Sequence, residues 1–376
     1  MKVVVAIDSF KGSLSSLQAG NAVKDAILTL DPHSQVVVKP LADGGEGTVE
    51  ALASGFRSQL IELPVTGPLG QPVVAKYCIL QHTNTAVMEM AAASGLPLVP
   101  AAQRNPLNTT TYGVGQLIRD AIDRGCRRFI VGIGGSATND GGTGMLTALG
   151  YEFLDETQQP IALGAKGLRD LHTIKTDHVL PELQECNFYI ACDVTNPLCG
   201  DRGCSAVFGL QKGATPEMIA DMDRWLGAYA AMAKTASPKA DPNHAGAGAA
   251  GGLGFAFLSF TNATLKSGIS IVLEETGLEA DIRDADLVVT GEGRLDAQTV
   301  MGKAPIGVAK LAKQYGKRVI AFCGCVTKDA DVCNQHGIDA FFPILRQVVT
   351  LEEALDPQCA YENLVATAEQ VFRLLV

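Results

Sequence analysis

The chain has 376 residues, 47% hydrophobic and 19% charged, with a mean hydropathy of +0.17. That is enough apolar material for about two to three domains, which excludes an intrinsically disordered segment and a lone small binding module. Forty acidic against 30 basic side chains leave a net charge of -10, which repels a phosphate backbone or an anionic lipid surface and argues against nucleic acid or membrane as the main partner.

The opening MKVVVAIDSF has five apolar residues before Asp8, too few for the apolar region of a signal peptide, and reads as a first strand. Ten cysteines are scattered with no CxxC pair, the usage of a reducing cytoplasm. IDSFKGSLS places Asp8, Ser9 and Lys11 between this strand and a helix opened by Ser15, with Gln18 three residues on as in a capping box. An ordinary strand-to-helix loop is the competing reading. A second strand, VVVK at 36–39, completes a βαβ beginning and hands over to LADGGEGT, which carries Asp43, Gly44, Gly45 and Glu46. Two carboxylates in a tight turn suit a magnesium ion, a substrate hydroxyl, or helix capping by Asp43.

From about residue 61 to 284 the texture changes. LIELPV, VVAKYCIL and TAVMEMA are strands joined by pieces too short for crossover helices, so a mixed or antiparallel sheet is expected. Helices are expected at about 111–124, 215–235 and 263–277, and apolar strands at 129–134 and 188–192. GIGGSATNDGGTG follows the first of these strands and gathers Gly134, Gly135, Ser136, Thr138, Asn139 and Asp140 into a candidate anion-binding nest. ACDVTNPLCG puts Asp193 just past the second, where a carboxylate orients a hydroxyl or binds a metal. HAGAGAAGGLG matches G-x-G-x-x-G at Gly246, Gly248 and Gly251, but no strand precedes it and no acidic residue closes a second strand, so the dinucleotide reading fails. Gly248, Gly251 and Gly252 remain as candidate N–H donors. Pro242–Leu265 lacks charge, yet five glycines and several polar residues make it a buried loop and helix rather than a membrane span.

The last ninety residues return to short apolar strands (DLVVTG, RVIAFCG, FFPI) separated by a helix from Pro305 and followed by an amphipathic closing helix. TGEGRLDAQTVMGKAPIG sets Glu292, Arg294 and Asp296 after a strand and Lys303 just before Pro305, where a lysine and a helix N-terminus together hold phosphate. The expected architecture is two α/β domains: a Rossmann-like parallel-sheet domain from both chain ends (1–60 plus 285–376) and an inserted mixed-sheet α/β domain (61–284), with the active site in the cleft between them. G-x-x-x-x-G-K-[ST], the protein-kinase H-R-D and D-F-G pair, and G-x-S-x-G are all absent.

Taken in order, IDSFKGSLS, LADGGEGT, GIGGSATNDGG, CDVTNPLCG, FGLQKGA, GAGAAGGLG and TGEGRLDAQTVMGKAPIG resemble the bacterial glycerate kinase family that lacks a P-loop, over essentially the whole chain. Ile7 and Leu210 stand where that family often has proline; neither change removes a reactive group. The resemblance implies magnesium-dependent transfer of the ATP γ-phosphoryl group to D-glycerate, usually at its 2-hydroxyl. We assign the roles as follows: Asp193 accepts the hydroxyl proton or orients the hydroxyl. Asp296 or Asp43 binds magnesium. Lys11 and Arg294 pair with the glycerate carboxylate or the moving phosphate, Lys303 holds nucleotide phosphates, and the two glycine loops cradle the remaining oxygens. A non-catalytic sensor of a small hydroxy acid or nucleotide, and a nicotinamide oxidoreductase, are the alternatives. The surplus of carboxylates (Asp43, Asp140, Asp193, Asp296) favours the metal-dependent enzyme. Monomer and homodimer are both open.

Overall fold

Val3, Val4 and Val5 are β-branched and wholly buried, so the chain begins as a strand with both faces covered. The structure, a computed structural model, describes residues 1–45 and 47–375; Glu46 lies outside the described residues. In chain order the strands are β1 (Lys2–Val5), β2 (Gln35–Val38), β3 (Ser58–Thr66), β4 (Pro72–Leu80), β5 (Thr85–Glu89), β6 (Arg128–Gly132), β7 (Glu152–Leu154), β8 (Thr173–Lys175), β9 (Asn187–Ala191), β10 (Asn262–Lys266), β11 (Leu287–Leu295), β12 (Arg318–Val326) and β13 (Ala340–Pro343).

The chain divides into two compact units, residues 1–56 with 269–376, and residues 57–268. The first is built on a parallel five-stranded sheet in the order β13-β12-β11-β1-β2. Val3, Val5, Ile7 and Val289 on one face pack against Ala19, Val23 and Ile27 of helix Ser16–Leu30 and Leu364, Ala368 and Phe372 of helix Pro357–Phe372. The alternate residues Val4, Val288 and Val319 are equally buried, and helix Ala304–Gln314 contacts β11 and β12. Ser15 closes the expected capping box with Gln18. The chain leaves β1 for β2 on one side, and β11 returns to pair with β1 on the other. The strand order therefore reverses between β1 and β11, and it is outside the carboxyl ends of such a pair that open α/β sheets bind ligands.

The second unit carries a six-stranded mixed sheet, β10-β9-β6-β5-β4-β3, in which β3, β4 and β5 form an antiparallel meander and β5, β6, β9 and β10 run parallel. A two-stranded ribbon, β7-β8, stands apart from it. The α/β architecture with a parallel and a mixed sheet is as the strand and helix pattern indicated.

Three details differ from expectation. Residues 262–266 are a strand, not the start of a helix; they pair in register with all of β9, and the helix begins only at Gly268. The second boundary between the units falls at 268/269 rather than 284/285. Ile269 packs at Gly307, and Asp281, in the helix Leu278–Arg283, forms an ion pair of 3.0 Å with Lys39, so both short helices after β10 belong with the parallel sheet. Pro305 is the second residue of its helix, with Lys303 at the N-cap.

The uncharged stretch resolves into the twelve-residue helix Ala249–Phe260, and among the described residues no helix is long and apolar enough to cross a membrane. Its first turn is broken by left-handed backbone at Ala250, Gly251 and Gly252. A Cβ on Gly251 would lie 2.0 Å from the carbonyl oxygen of Thr138 at a φ of +66°. Gly251→Ala is therefore expected to destabilise the second unit by about 2–4 kcal/mol, read as a lower urea midpoint at unchanged slope.

Candidate active site

Loop 7–15 is fixed from below. Ser16 Oγ donates to the Ile7 carbonyl at 2.7 Å and accepts from the Leu41 amide at 2.8 Å, so one buried hydroxyl ties the ends of β1 and β2 together. The Asp8 amide donates to the Gly291 carbonyl at 2.9 Å, continuing the β1–β11 pairing one step beyond the strand. A tight turn from Phe10 to Leu14 then carries Lys11 at its exposed tip. At the matching end of β11, Glu292 is buried and accepts from Thr299 Oγ1 at 2.6 Å. Asp296 is buried just past the strand, where Oδ1 accepts the Gln298 amide at 2.9 Å and Oδ2 pairs with Arg294 Nε at 3.1 Å. Lys303 Nζ stands between the two carboxylates, 3.6 Å from Glu292 and 3.7 Å from Asp296. From the end of β2, Asp43 accepts the Gly45 amide at 2.9 Å and faces Lys11 at 3.9 Å.

These groups surround one cavity of about 400 Å³ in the first unit, lined by Asp8, Ser9, Lys11, Asp43, Glu292, Arg294 and Lys303 at one end. Asp296 does not line it; it holds Arg294 and Lys303 from behind. Gly44 and Gly45 form the turn that presents Asp43, Gly44 with a φ of +86°.

The electrostatics are those of a site short of positive charge. Burial pushes the Asp8 carboxyl up to about 7, and the charge of Asp43 adds to it, against the opposing Ser9 N–H and Lys11. Burial likewise holds Glu292 above the usual carboxylate range despite its bond from Thr299 and the nearby Lys303. Among the described residues no group of three or more His, Cys, Asp or Glu side chains is arranged to hold a metal unaided. Magnesium does not require one, since it keeps several waters and is commonly held by one or two carboxylates plus substrate phosphates.

The second unit keeps its own predicted residues. Asp193 is exposed after β9, and its Oδ1 accepts from the Gly268 amide at the start of helix Gly268–Thr276 at 3.2 Å. The loop after β6 divides in two. Gly134 and Gly135 are exposed, whereas Thr138, Asn139 and Asp140 are fully buried. Asp140 accepts from the Thr111 amide (2.8 Å), the Thr111 hydroxyl (2.9 Å) and the Gly142 amide (3.1 Å), so it braces the loop rather than facing a ligand. Gly248, Gly251 and Gly252 are also buried; a Cβ on Gly248 would meet the Pro197 carbonyl oxygen at 2.2 Å and one on Gly252 the Gly141 Cα at 2.8 Å. Close backbone packing accounts for all three glycines.

Sequence reasoning missed Lys212. It is buried and donates to Ser136 Oγ at 2.8 Å and to the Thr138 carbonyl at 2.6 Å, and burial pushes its ammonium down to about 8. The signal was the FGLQKGA motif, in which Gly213 turns left-handed directly after the lysine. It also missed the far wall of the cavity, where Leu345, Leu351, Leu355 and Asn363 come from segments with no motif of their own.

Residues 3–376 match the profile of the glycerate kinase family. The chain belongs to the glycerate kinase family. Within it, the chain is 49% identical to a glycerate kinase of Haemophilus influenzae (strain Rd), with 100% of this chain and 99% of the relative covered. It is 47% identical to the glycerate 2-kinase of Escherichia coli K12, covering 99% and 97%. A crystal structure described as glycerate kinase 2 from Salmonella typhimurium LT2 superimposes with a TM-score of 0.93 at 47% identity, covering 100% of this chain and 98% of that one. Three of the seven motifs that carried the family resemblance, IDSFKGSLS, LADGGEGT and TGEGRLDAQTVMGKAPIG, contribute residues to the cavity.

Proposed function

We propose that the protein is a cytoplasmic glycerate kinase that transfers the γ-phosphoryl group of ATP to the 2-hydroxyl of D-glycerate, with magnesium. The observation that carries this reading is the convergence of Asp8, Lys11, Asp43, Glu292, Arg294 and Lys303 on one cavity at the strand-order reversal of the parallel sheet. Phosphoryl transfer asks little covalent chemistry of a protein; it needs alignment and positive charge on the moving oxygens.

Lys11 and Arg294 are exposed at the cavity mouth and are assigned to the transferring phosphate and the glycerate carboxylate. Lys303, at the N-cap of helix Ala304–Gln314, is assigned to nucleotide phosphates, where its charge and the positive end of the helix dipole act together. Asp296 is a positioning residue that fixes both cations. Asp8, with its carboxyl at about 7, is the cavity group best matched to accepting the hydroxyl proton near neutral pH. Asp43 is the carboxylate assigned to magnesium. The residues fit such an ion, because burial and the neighbouring Asp43 charge hold the Asp8 carboxyl up at about 7 and burial raises that of Glu292, a setting that a further cation relieves. When bound, magnesium neutralises phosphate charge as it develops.

A coupled assay for ADP release, run with D-glycerate and other sugar acids with and without magnesium, tests this. Magnesium-dependent ADP release with D-glycerate and a product whose phosphorus NMR matches 2-phosphoglycerate are expected. No substrate-dependent ADP would overturn the assignment.

A further inference from the structure

The cavity has a second end that phosphate and a three-carbon acid do not explain. Opposite the charged groups its wall is made by Ile344, Leu345, Leu351, Ala354 and Leu355, from the segment after β13 and the helix Leu351–Leu355. Leu345 is 39%, Leu351 76% and Leu355 38% exposed, an unusual density of large apolar side chains facing solvent within eleven residues. One polar amide, that of Asn363 on helix Pro357–Phe372, interrupts the apolar wall, and it makes no hydrogen bond or ion pair among the described residues.

A space of about 400 Å³ lined by cations and by a wall of leucines suits a ligand that is anionic at one end and flat and apolar at the other. Glycerate has no apolar end. A neighbouring cavity of about 640 Å³ shares Asp8, Ser9, Lys11 and Ser13 with the first, and its own lining adds hydroxyl and carboxylate groups such as Ser15, Ser54 and Glu50. That chemistry suits a small hydroxy acid. The Asp8–Lys11 segment is the wall common to both.

Resting on the kinase reading above, we infer that the apolar wall formed by Leu345, Leu351 and Leu355 is the seat of the nucleotide base, with the Asn363 amide reading its edge, and that the phosphates run from there to Lys11, Arg294 and Lys303. An amide carries one donor and one acceptor group, the pattern that pairs with the edge of adenine. The base stacks on leucines that are already exposed, so binding covers apolar surface that folding leaves wet.

The test is calorimetric titration of the full-length protein with ADP and with pyrophosphate, alongside KM values for ATP and D-glycerate. Leu351→Asp, at an exposed position, is expected to weaken ADP about tenfold or more while leaving pyrophosphate affinity and the KM for D-glycerate within about twofold. Asn363→Leu keeps the apolar wall and is expected to reduce the preference for ATP over GTP. If Leu351→Asp raises the KM for D-glycerate instead, or leaves ADP affinity unchanged, the wall is not the base seat. These titrations read binding without turnover. A wild-type protein that binds ADP through this wall but releases none with D-glycerate would therefore uphold the base seat and sink the kinase reading separately.

Discussion

Arg294→Ala should lower kcat by about 10²–10³-fold, the loss typical of removing one preorganised positive or donor group from a developing oxyanion. The residue is suited to the experiment because its side chain is 64% exposed and, among the described residues, its one ion pair is with Asp296 at 3.1 Å. Asp296 is buried, but it keeps the Gln298 amide and Lys303 when Arg294 is removed, so the melting temperature should fall modestly while kcat falls by orders of magnitude. Arg294→Lys restores charge but not the planar fork, and is expected to recover part of the rate and not all of it. Near-normal kcat in Arg294→Ala, with the fold intact, would remove the residue from the reaction.

Asp8→Asn should separate stability from catalysis in opposite directions. In the native protein the Asp8 carboxyl titrates at about 7, against 3.8 for an ordinary solvated aspartate, chiefly because it is buried. Between these values the folded chain holds a proton that the unfolded chain has released, so stability falls as pH rises through that window and the full penalty is present above pH 7. At ~1.36 kcal/mol per pH unit the penalty amounts to about 4 kcal/mol by pH 8. Asparagine does not titrate and its carbonyl can still accept the Ser9 amide, which now donates to Asp8 Oδ1 at 2.7 Å. With magnesium chelated, urea unfolding at pH 8 should find Asp8→Asn more stable than the wild type by up to about 4 kcal/mol, the difference shrinking toward zero near pH 4. Turnover should fall sharply in the same variant. Equal stability of the two proteins at both pH values would show that Asp8 is not held under charge stress. Such a carboxylate, costly to the fold and placed in the cavity, is the exchange of stability for activity seen at many catalytic sites.

The parts of this molecule legible in the sequence are those where one short segment contains both the signal and the structure. β1 and its loop, the Ser15 capping box, and the run from Glu292 to Lys303 are each local, and the last places its carboxylates and cations within eleven residues of one strand end. The antiparallel meander of β3–β5 is equally plain, because its connections leave no room for a helix. Reading fails where tertiary context decides. Asn262–Lys266 has a composition open to helix or strand, and it becomes a strand because β9 offers it a parallel edge. The glycine run looks like a phosphate cradle, since glycine is needed equally for a ligand and for a neighbouring carbonyl. The 2.0 Å approach to Thr138 exists only once the two loops are brought together. Asp43 and Asp296 look alike as short acidic side chains after strands, yet the first lines the cavity and the second braces its cations. Lys212 escapes notice because a lysine beside a glycine is ordinary, and its burial comes from residues more than seventy positions away.

The pairing of β1 with β11 has a consequence for synthesis on the ribosome. Lys2 donates its amide to Asp286 across 284 residues of sequence, and Val3 lies opposite Leu287. Residues 57–268 form a contiguous unit that can fold as they emerge, whereas β1 and β2 must wait, two strands without the rest of their sheet, until β11 and the closing helix have been made. Asp8 cannot meet Glu292 before then. The nascent chain therefore lacks this cavity through most of its translation, and the waiting β1–β2 segment, with its run of valines, is the stretch on which a chaperone has most to act.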